Sequence, residues 1–305
     1  VTLEHLQLFR DVAMHRSISK GAELNELSQS AVSQHVQEVE RRLGVQLIDR
    51  STRPLTLTPA GKLYHDFCRD TVRLFQQFQT DVEQLKGNVV GVCRVASIYS
   101  VGMSELAELE REFARLFPEA ELQVDHLRPE KVYEAVLQDQ ADLGLVSYPE
   151  SRKDLTVIPW RVERMVVATA PAHPLAGRSE LHPQDLEGED YVGFDEDLPI
   201  SRDVRRFLRE AGVVVNEVRH FDNIHSMKEA VALGSGLSIL PEPILRTDVE
   251  QGRLAAISIA PPGLARPLGI VRHRRKKLNR ASESFLQILV AQRFDGLTTS
   301  GHSPV

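Results

Sequence analysis

Residues Ser28-Gln29-Ser30-Ala31-Val32-Ser33-Gln34 open a run that continues through Val36, Val39 and Leu43 to Gly44. Ser28 is a good helix N-cap. Ala31, Val32, Val36, Val39 and Leu43 recur at three- and four-residue steps, which puts one apolar face on a helix. Gln29, Ser30, Ser33 and Gln34 fall off that face, near the helix start. A shorter helix precedes it, with Ser19 as its expected N-cap, Ala22 and Glu23 in its first turns, and an end near Asn25. Gly21 and Ala22 are small enough for two helices to approach closely. Upstream, Leu3, Leu6, Phe9, Val12 and Ala13 form an amphipathic first helix that completes a three-helix core. Two short helices with a tight turn, the second opening on small hydrogen-bonding residues, suit the DNA major groove. An ordinary helical hairpin with a Ser/Gln-rich exposed end has the same spacing, so the segment alone leaves both readings open.

The next residues separate them. The stretch from Glu40 through Leu43-Gly44-Val45-Gln46-Leu47-Ile48-Asp49-Arg50 ends the helix at Gly44 and becomes extended. Arg53-Pro54-Leu55-Thr56-Leu57-Thr58-Pro59-Ala60-Gly61 then alternates apolar and polar residues like a short hairpin strand. This is a wing, with Arg50 and Arg53 placed to meet phosphates. With the Ser28–Ser33 run, the Leu43-Gly44-Val45-x-Leu47-Ile48-x-Arg50 stretch and Leu57-Thr58-Pro59-Ala60-Gly61, the chain resembles the LysR-type transcriptional regulators. Three departures stand out. Ser30 occupies a position where the family usually has Pro, Gly21 one where Ala is common, and Leu24-Asn25 reverses the usual polar–Leu order. That reversal implies either a helix ending one residue early, with Asn25 as a left-handed cap, or a local change in packing.

The 305-residue length allows two or three domains, and 42% hydrophobic with 26% charged residues is ordinary for a globular protein. No apolar stretch is long enough to span a membrane and no signal-peptide pattern is visible, so the expectation is a cytoplasmic protein with no membrane partner. Two cysteines, Cys68 and Cys93, suit a reducing compartment better than a disulfide framework. The formal charge is −6, yet residues 1–65 carry 8 basic and 7 acidic side chains, a balance of +1. Arg50, Arg53 and Lys62 cluster around the wing. Binding by one copy should therefore be weak and salt-sensitive, and affinity should depend on pairing.

A pairing element follows. Thr58 caps and Pro59 starts a helix running to about Lys86, stopped by Gly87-Asn88. Phe67, Thr71, Leu74, Phe78 and Leu85 line one face, widened by Phe75 and Val82, and a second copy of the same helix is its simplest partner. The alternative is packing on its own chain. Cys68, one residue from the stripe, reads as packing rather than a redox switch.

From Val89 strands and helices alternate, which implies a parallel sheet with crossovers. Strands are expected at 92–96, 122–125, 143–146, 155–160, 165–170, 191–194, 217–221, 237–241 and 268–271. Helices are expected up to Phe117 and at 130–138, 201–210, 224–233 and 281–294. The chain crosses twice between two lobes, like the two-lobed, periplasmic-binding-protein-like effector domain that the resemblance implies. The fold class is thus α/β: a winged helix-turn-helix at 1–58, a linker helix at 59–88, an effector-binding domain at 89–296 and a disordered tail at 297–305. Within the effector domain, lobe I takes 90–161 and 267–296, and lobe II takes 162–266. Ligands in such domains bind where loops leave the carboxyl ends of strands. The candidates are Ser97, Tyr99 and Ser100; Ser147 and Tyr148; Phe194, Ile200, Ser201 and Arg202; and Asn223, Ile224 and His225. Ser201 is the expected N-cap of its helix, and Ser100, Ser201 and Asn223 have the plain alternative reading of helix caps. Hydroxyls and amides there point to a small anionic metabolite, with Arg202 or His225 as charge partners.

The run 272–277, Arg-His-Arg-Arg-Lys-Lys, looks like a nucleic-acid patch but falls between the last strand and last helix, where a solvated loop is expected; oligomer or nonspecific DNA contacts are the alternative. His65, His126, His173 and His182 lack metal-ligand spacing, and Gly234-Ser235-Gly236 is too short for a nucleophile elbow, so neither a metal, a cofactor nor a catalytic residue is expected. The resemblance implies a ligand-controlled, sequence-specific transcriptional regulator whose partners are promoter DNA, a small effector, a second copy in a dimer or dimer of dimers, and RNA polymerase. A stand-alone small-molecule binder or an enzyme on the two-lobed domain is the rival reading.

Overall fold

The computed structural model describes residues 2–86, 89–102 and 106–291, and the chain divides into two compact units, Val1–Asn88 and Val89–Val305. The first unit contains helices α1 (Leu3–His15), α2 (Ile18–Leu24) and α3 (Gln29–Leu43), strands β1 (Ile48–Asp49) and β2 (Thr56–Leu57), and the long helix α4 (Pro59–Lys86). Leu6, Phe9 and Val12 of α1, Ala22 of α2, and Val32, Val36 and Val39 of α3 share one core with Leu47, Cys68 and Val72.

The α2 cap is Ser17 rather than Ser19: the Ser17 hydroxyl accepts the Lys20 N–H at 3.2 Å. The helix thus starts earlier than expected, and Ser19 lies within it. A Cβ on Gly21 would stand 2.3 Å from Val12 Cγ2, so the α1–α2 approach requires a residue without one. Ser28 caps α3, its Oγ accepting from the Ala31 N–H at 3.2 Å, and Gly44 closes it in the left-handed region at φ 67°. The α3 stripe is narrower than its sequence spacing suggests. Val32, Val36 and Val39 are buried, Ala31 is half-buried, and Leu43 is 50% exposed because the last turn runs past the core.

The Leu24-Asn25 reversal is a packing change. Asn25 has φ −108° and is not left-handed; Glu26 takes that conformation instead, at φ 54°. Asn25 Nδ2 donates to Asp11 Oδ2 at 3.0 Å and to the Gly21 carbonyl at 2.9 Å, while Leu24 is exposed. Asp11 is itself buried in α1. The amide of the residue that closes α2 thus meets a carboxylate on α1.

The second unit runs β3 (Gly91–Ile98), α5 (Tyr99–Gly102), α6 (Leu106–Leu116), β4 (Ala120–Leu127), α7 (Pro129–Leu137), β5 (Leu143–Ser147), β6 (Leu155–Thr169), β7 (Glu180–Leu181), β8 (Asp190–Phe194), α8 (Pro199–Glu210), β9 (Asn216–Phe221), α9 (Ile224–Ala232), β10 (Ser238–Pro241), α10 (Arg246–Glu250), β11 (Ala255–Ile259), β12 (Ala265–His273) and α11 (Arg280–Ala291). The main sheet has the order β4-β3-β5-β12-β6-β11-β7, with β10 also beside β6. It is mixed, not parallel. β3 runs parallel to β4 and β5, whereas β12 is antiparallel to β5 and β6, and β10 and β11 are antiparallel to β6. β8 and β9 form a separate parallel pair.

The stretches 155–160 and 165–170 are one fifteen-residue strand, β6, rather than two. The charged residues Arg161, Glu163 and Arg164 interrupt its hydropathy but not its backbone, because β12 pairs with it across the whole crossing. β6 and β12 are the two chain passages between lobes. Lobe I packs Val95, Leu143, Leu145, Trp160, Ile270 and Phe285 around one core, and lobe II packs Val166, Tyr191, Val204, Met227, Ile239 and Ile257 around another. The run 272–277 is not a solvated loop throughout. Arg272 and His273 end β12, and Lys276 reaches Asp142 at 2.8 Å and Asp139 at 3.2 Å. The Gly87-Asn88 stop and the 297–305 tail lie outside the described residues. Among the described residues, no helix is long and apolar enough to cross a membrane.

Candidate functional site

On α3 the three buried valines fix which side faces inward, and Ser28, Gln29, Ser30 and Gln34 are exposed at the helix start, with Ser33 half-buried beside them. Ser28 Oγ and Ser30 Oγ lie 2.9 Å apart. The wing is anchored from the same helix. Glu40 Oε1 accepts the Leu47 and Ile48 N–H groups at 2.8 and 3.1 Å, and its Oε2 meets Arg50 Nη2 at 3.2 Å. One carboxylate therefore sets both the entry into β1 and the Arg50 side chain, leaving Arg53 exposed at the wing tip. His35, also on α3, stacks on His5 of α1 with ring centroids 4.1 Å apart. Burial, reinforced by that neighbouring imidazole, holds His35 below the usual histidine range.

Thr58 caps α4, accepting the Gly61 N–H at 3.0 Å. Cys68 and Val72 of α4 face the core of their own unit. Leu74 (63% exposed), Phe78 (61%) and Phe67 (55%) do not; the Leu85 side chain lies outside the described set. Burial pushes both thiols up, Cys68 and Cys93 each to about 12, so neither is a nucleophile at neutral pH.

In the second unit a cavity of ≈ 480 Å³, counting its open mouth, lies between the lobes. Its polar floor is Arg266 of β12 with Ser100 and Ser147. Arg266 is 1% exposed; its Nη1 donates to Ser100 Oγ at 2.8 Å, and its Nε donates to Glu163 Oε2 at 3.1 Å, with Nη2 on the same carboxylate oxygen. Glu163 sits opposite Arg266 on β6, so this buried ion pair bridges the two crossover strands. Phe194, Leu198, Pro199, Ile200 and Ile224 line the lobe II side. At the mouth, Arg128 of lobe I reaches Asp197 of lobe II at 2.9 Å and Asp222 at 4.0 Å. Tyr148, at φ 49°, makes a second bridge, its hydroxyl donating to Asp203 Oδ2 at 2.9 Å.

Of the twelve effector candidates, the cavity gathers Tyr99, Ser100, Ser147, Phe194, Ile200, Asn223 and Ile224. The other five are elsewhere. Ser97 is fully buried and its hydroxyl donates to the Ile98 carbonyl. Ser201 is no N-cap: α8 starts at Pro199 after Leu198, and Ser201 Oγ donates to the Phe194 carbonyl at 3.1 Å. Tyr148 turns toward Asp203, and Arg202 and His225 are exposed outside the lining. Ser100 lies inside α5 rather than capping it, whereas Asn223 does cap α9, accepting the Ser226 N–H at 2.9 Å.

Residues 86–293 match the LysR substrate binding domain, and residues 3–62 match the bacterial regulatory helix-turn-helix protein of the lysR family. The chain belongs to the LysR family. It is 28% identical to the HTH-type transcriptional regulator CysL of Bacillus subtilis, covering 93% of this chain and 95% of that one. It is 26% identical to the RuBisCO operon transcriptional regulator of Allochromatium vinosum, over 96% of each. Among solved structures it is similar to a full-length OxyR variant from Pseudomonas aeruginosa (TM-score 0.70, 19% identity, 100% and 99% coverage) and to full-length CbnR complexed with its target DNA (TM-score 0.67, 19% identity, 96% and 100% coverage). The families and relatives are transcriptional regulators, not enzymes.

In this LysR-family regulator the cation at the cleft floor, Arg266, escaped the sequence reading, as did Arg128 and Asp222. Arg266 carries a local signal, a lone charge in the otherwise apolar run from Ala265 to Val271. Arg128 follows the carboxyl end of β4, a strand end of the same kind as the four loops considered.

Proposed function

We propose that α3 reads base edges through Gln29, Ser33 and Gln34 while Ser28, Ser30, Arg50 and Arg53 meet the backbone, that α4 pairs two copies through Phe67, Leu74 and Phe78, and that a small anion in the cleft controls the DNA-bound state. The observation carrying this reading is the pairing of an exposed Ser/Gln helix start with a second unit whose inter-lobe cavity is floored by a buried guanidinium. Buried charges are retained where they are paired, and Arg266 presents its hydroxyl-flanked side to a cavity that a ligand can reach. Effector preference for one lobe arrangement then shifts the population of DNA-binding geometries. The setting is the cytoplasm, with promoter DNA as the bound partner and RNA polymerase downstream. The test is fluorescence anisotropy of the full-length protein on labelled DNA from beside its own gene against a scrambled duplex. A preference of about 10³-fold or more, with steep salt dependence on both, is expected. Equal affinity for the two duplexes overturns the reading.

A further inference from the structure

The walls of the cleft differ in kind, and on the reading of that cleft as an anion site the difference names a ligand class. The floor offers hydrogen-bond donors: the Arg266 guanidinium, the Ser100 hydroxyl and the Ser147 hydroxyl. Ser147 is 7% exposed and lines the cavity. The opposite wall, from lobe II, is apolar: Phe194, Leu198, Pro199, Ile200 and Ile224. Its polar members are already occupied. Asn223 Nδ2 donates to Asp222 Oδ1 at 3.1 Å, Asn223 Oδ1 caps α9, and Asp222 faces Arg128.

An inorganic oxyanion would use the floor and leave the lobe II wall without contact. An amino-acid-like zwitterion would need a free carboxylate for its ammonium, and the lining carboxylate, Asp222, faces Arg128. A dianion would bring its second charge to a place where the carboxylates Asp197 and Asp222 outnumber Arg128. We propose that the ligand is a small organic acid bearing a single carboxylate and a short apolar body. The carboxylate sits on Arg266, Ser100 and Ser147, and the body lies against Phe194, Leu198 and Ile200. Such a molecule contacts both lobes at once, the polar end through strands β5 and β12 and helix α5, and the apolar end through β8 and α8. The same chemistry gives the ligand a handle on the hinge. Its carboxylate competes with Glu163 for the Arg266 guanidinium, and that pair joins the two crossover strands.

The experiment is isothermal titration calorimetry of the full-length protein with acetate, propionate, butyrate, succinate and sulfate. Affinity should rise about fourfold per added methylene from acetate to butyrate, the gain expected from burying one methylene. Ile200→Ala should cut that increment while leaving acetate within about twofold, and Ser147→Ala should weaken all three monocarboxylates alike, by about fivefold. Sulfate or succinate binding more tightly than butyrate, or affinity flat along the series, overturns the organic-acid class while leaving an anion site in place. No binding of any anion overturns the anion reading itself.

Discussion

On α3 the polar residues Gln29, Ser30 and Gln34 stand in solvent on a helix whose other side is Val32, Val36 and Val39. In the cleft, Arg266, Ser100 and Ser147 are all buried, and they come from three elements widely separated in the chain. The first surface is local: a cap, three valines and one glycine stop define it, and its side chains need little support beyond the helix. The second is assembled by the crossing of β6 and β12, and each polar group in it depends on another. A partner of the first surface can be large and external, whereas a partner of the second has to fit inside and satisfy groups that water reaches poorly. The proposed reading surface on the outside and the proposed sensing surface on the inside should differ in their tolerance to substitution, and those tolerances can be measured.

The largest effect is expected at the buried pair. Arg266→Ala leaves buried Glu163 with only Arg161, 3.3 Å from its other carboxylate oxygen, and should destabilise the protein by about 3 kcal/mol in urea denaturation. Arg266→Met, which keeps the volume without the charge, should lose less stability while still abolishing any anion binding. Next is the exposed face of α4. Phe78→Glu places a charge where a second copy is proposed to dock, so sedimentation should give a monomer, and DNA affinity should fall about 100-fold or more through loss of paired binding. A dimer unaffected by Phe78→Glu would assign that face another role.

A smaller effect belongs to the N-terminal core. Asn25→Ala removes the donor to Asp11 Oδ2 while Arg10 still holds Oδ1, and should cost about 1 kcal/mol, read as a lower melting temperature with the DNA footprint unchanged. The smallest is a pH effect at the His5–His35 stack. Because burial and His5 depress His35 in the folded state, the unfolded chain binds the extra proton first. Stability should therefore be complete above the unfolded value of about 6.5 and fall as pH drops through it, and His35→Gln should flatten that slope.

The two regions were also unequally legible in the amino-acid sequence. Helix periodicity and capping placed α1, α3 and α4 closely, since 3.6-residue repeats and side-chain caps are local. They misplaced the α2 cap because Ser17 and Ser19 are both competent caps, and the fold chose the earlier one. Two adjacent strands were inferred where β6 is continuous, because charges at 161, 163 and 164 look like a break until β12 is known to pair along them. In the cleft, helix starts were legible, so Tyr99, Asn223 and Ile224 fell on loops that line the cavity. Arg266 was not, because what makes it a floor rather than a stray charge is Glu163 opposite it across the ladder and Ser100 at 2.8 Å, and neither relation exists in one dimension. Ser201 misled for a complementary reason: a serine near a helix start looks like a cap, yet Pro199 had already begun the helix and turned Ser201 inward.

The proposed role of α3 as the reading surface is central, and one measurement addresses it: hydroxyl-radical footprints of wild-type, Gln29→Ala and Ser33→Ala proteins on DNA from beside the gene, with circular dichroism confirming the fold. The expected result is loss of the specific footprint, through about 1–3 kcal/mol of lost base discrimination per side chain, while nonspecific binding and its salt dependence persist. Footprints identical to wild type in both variants would contradict it.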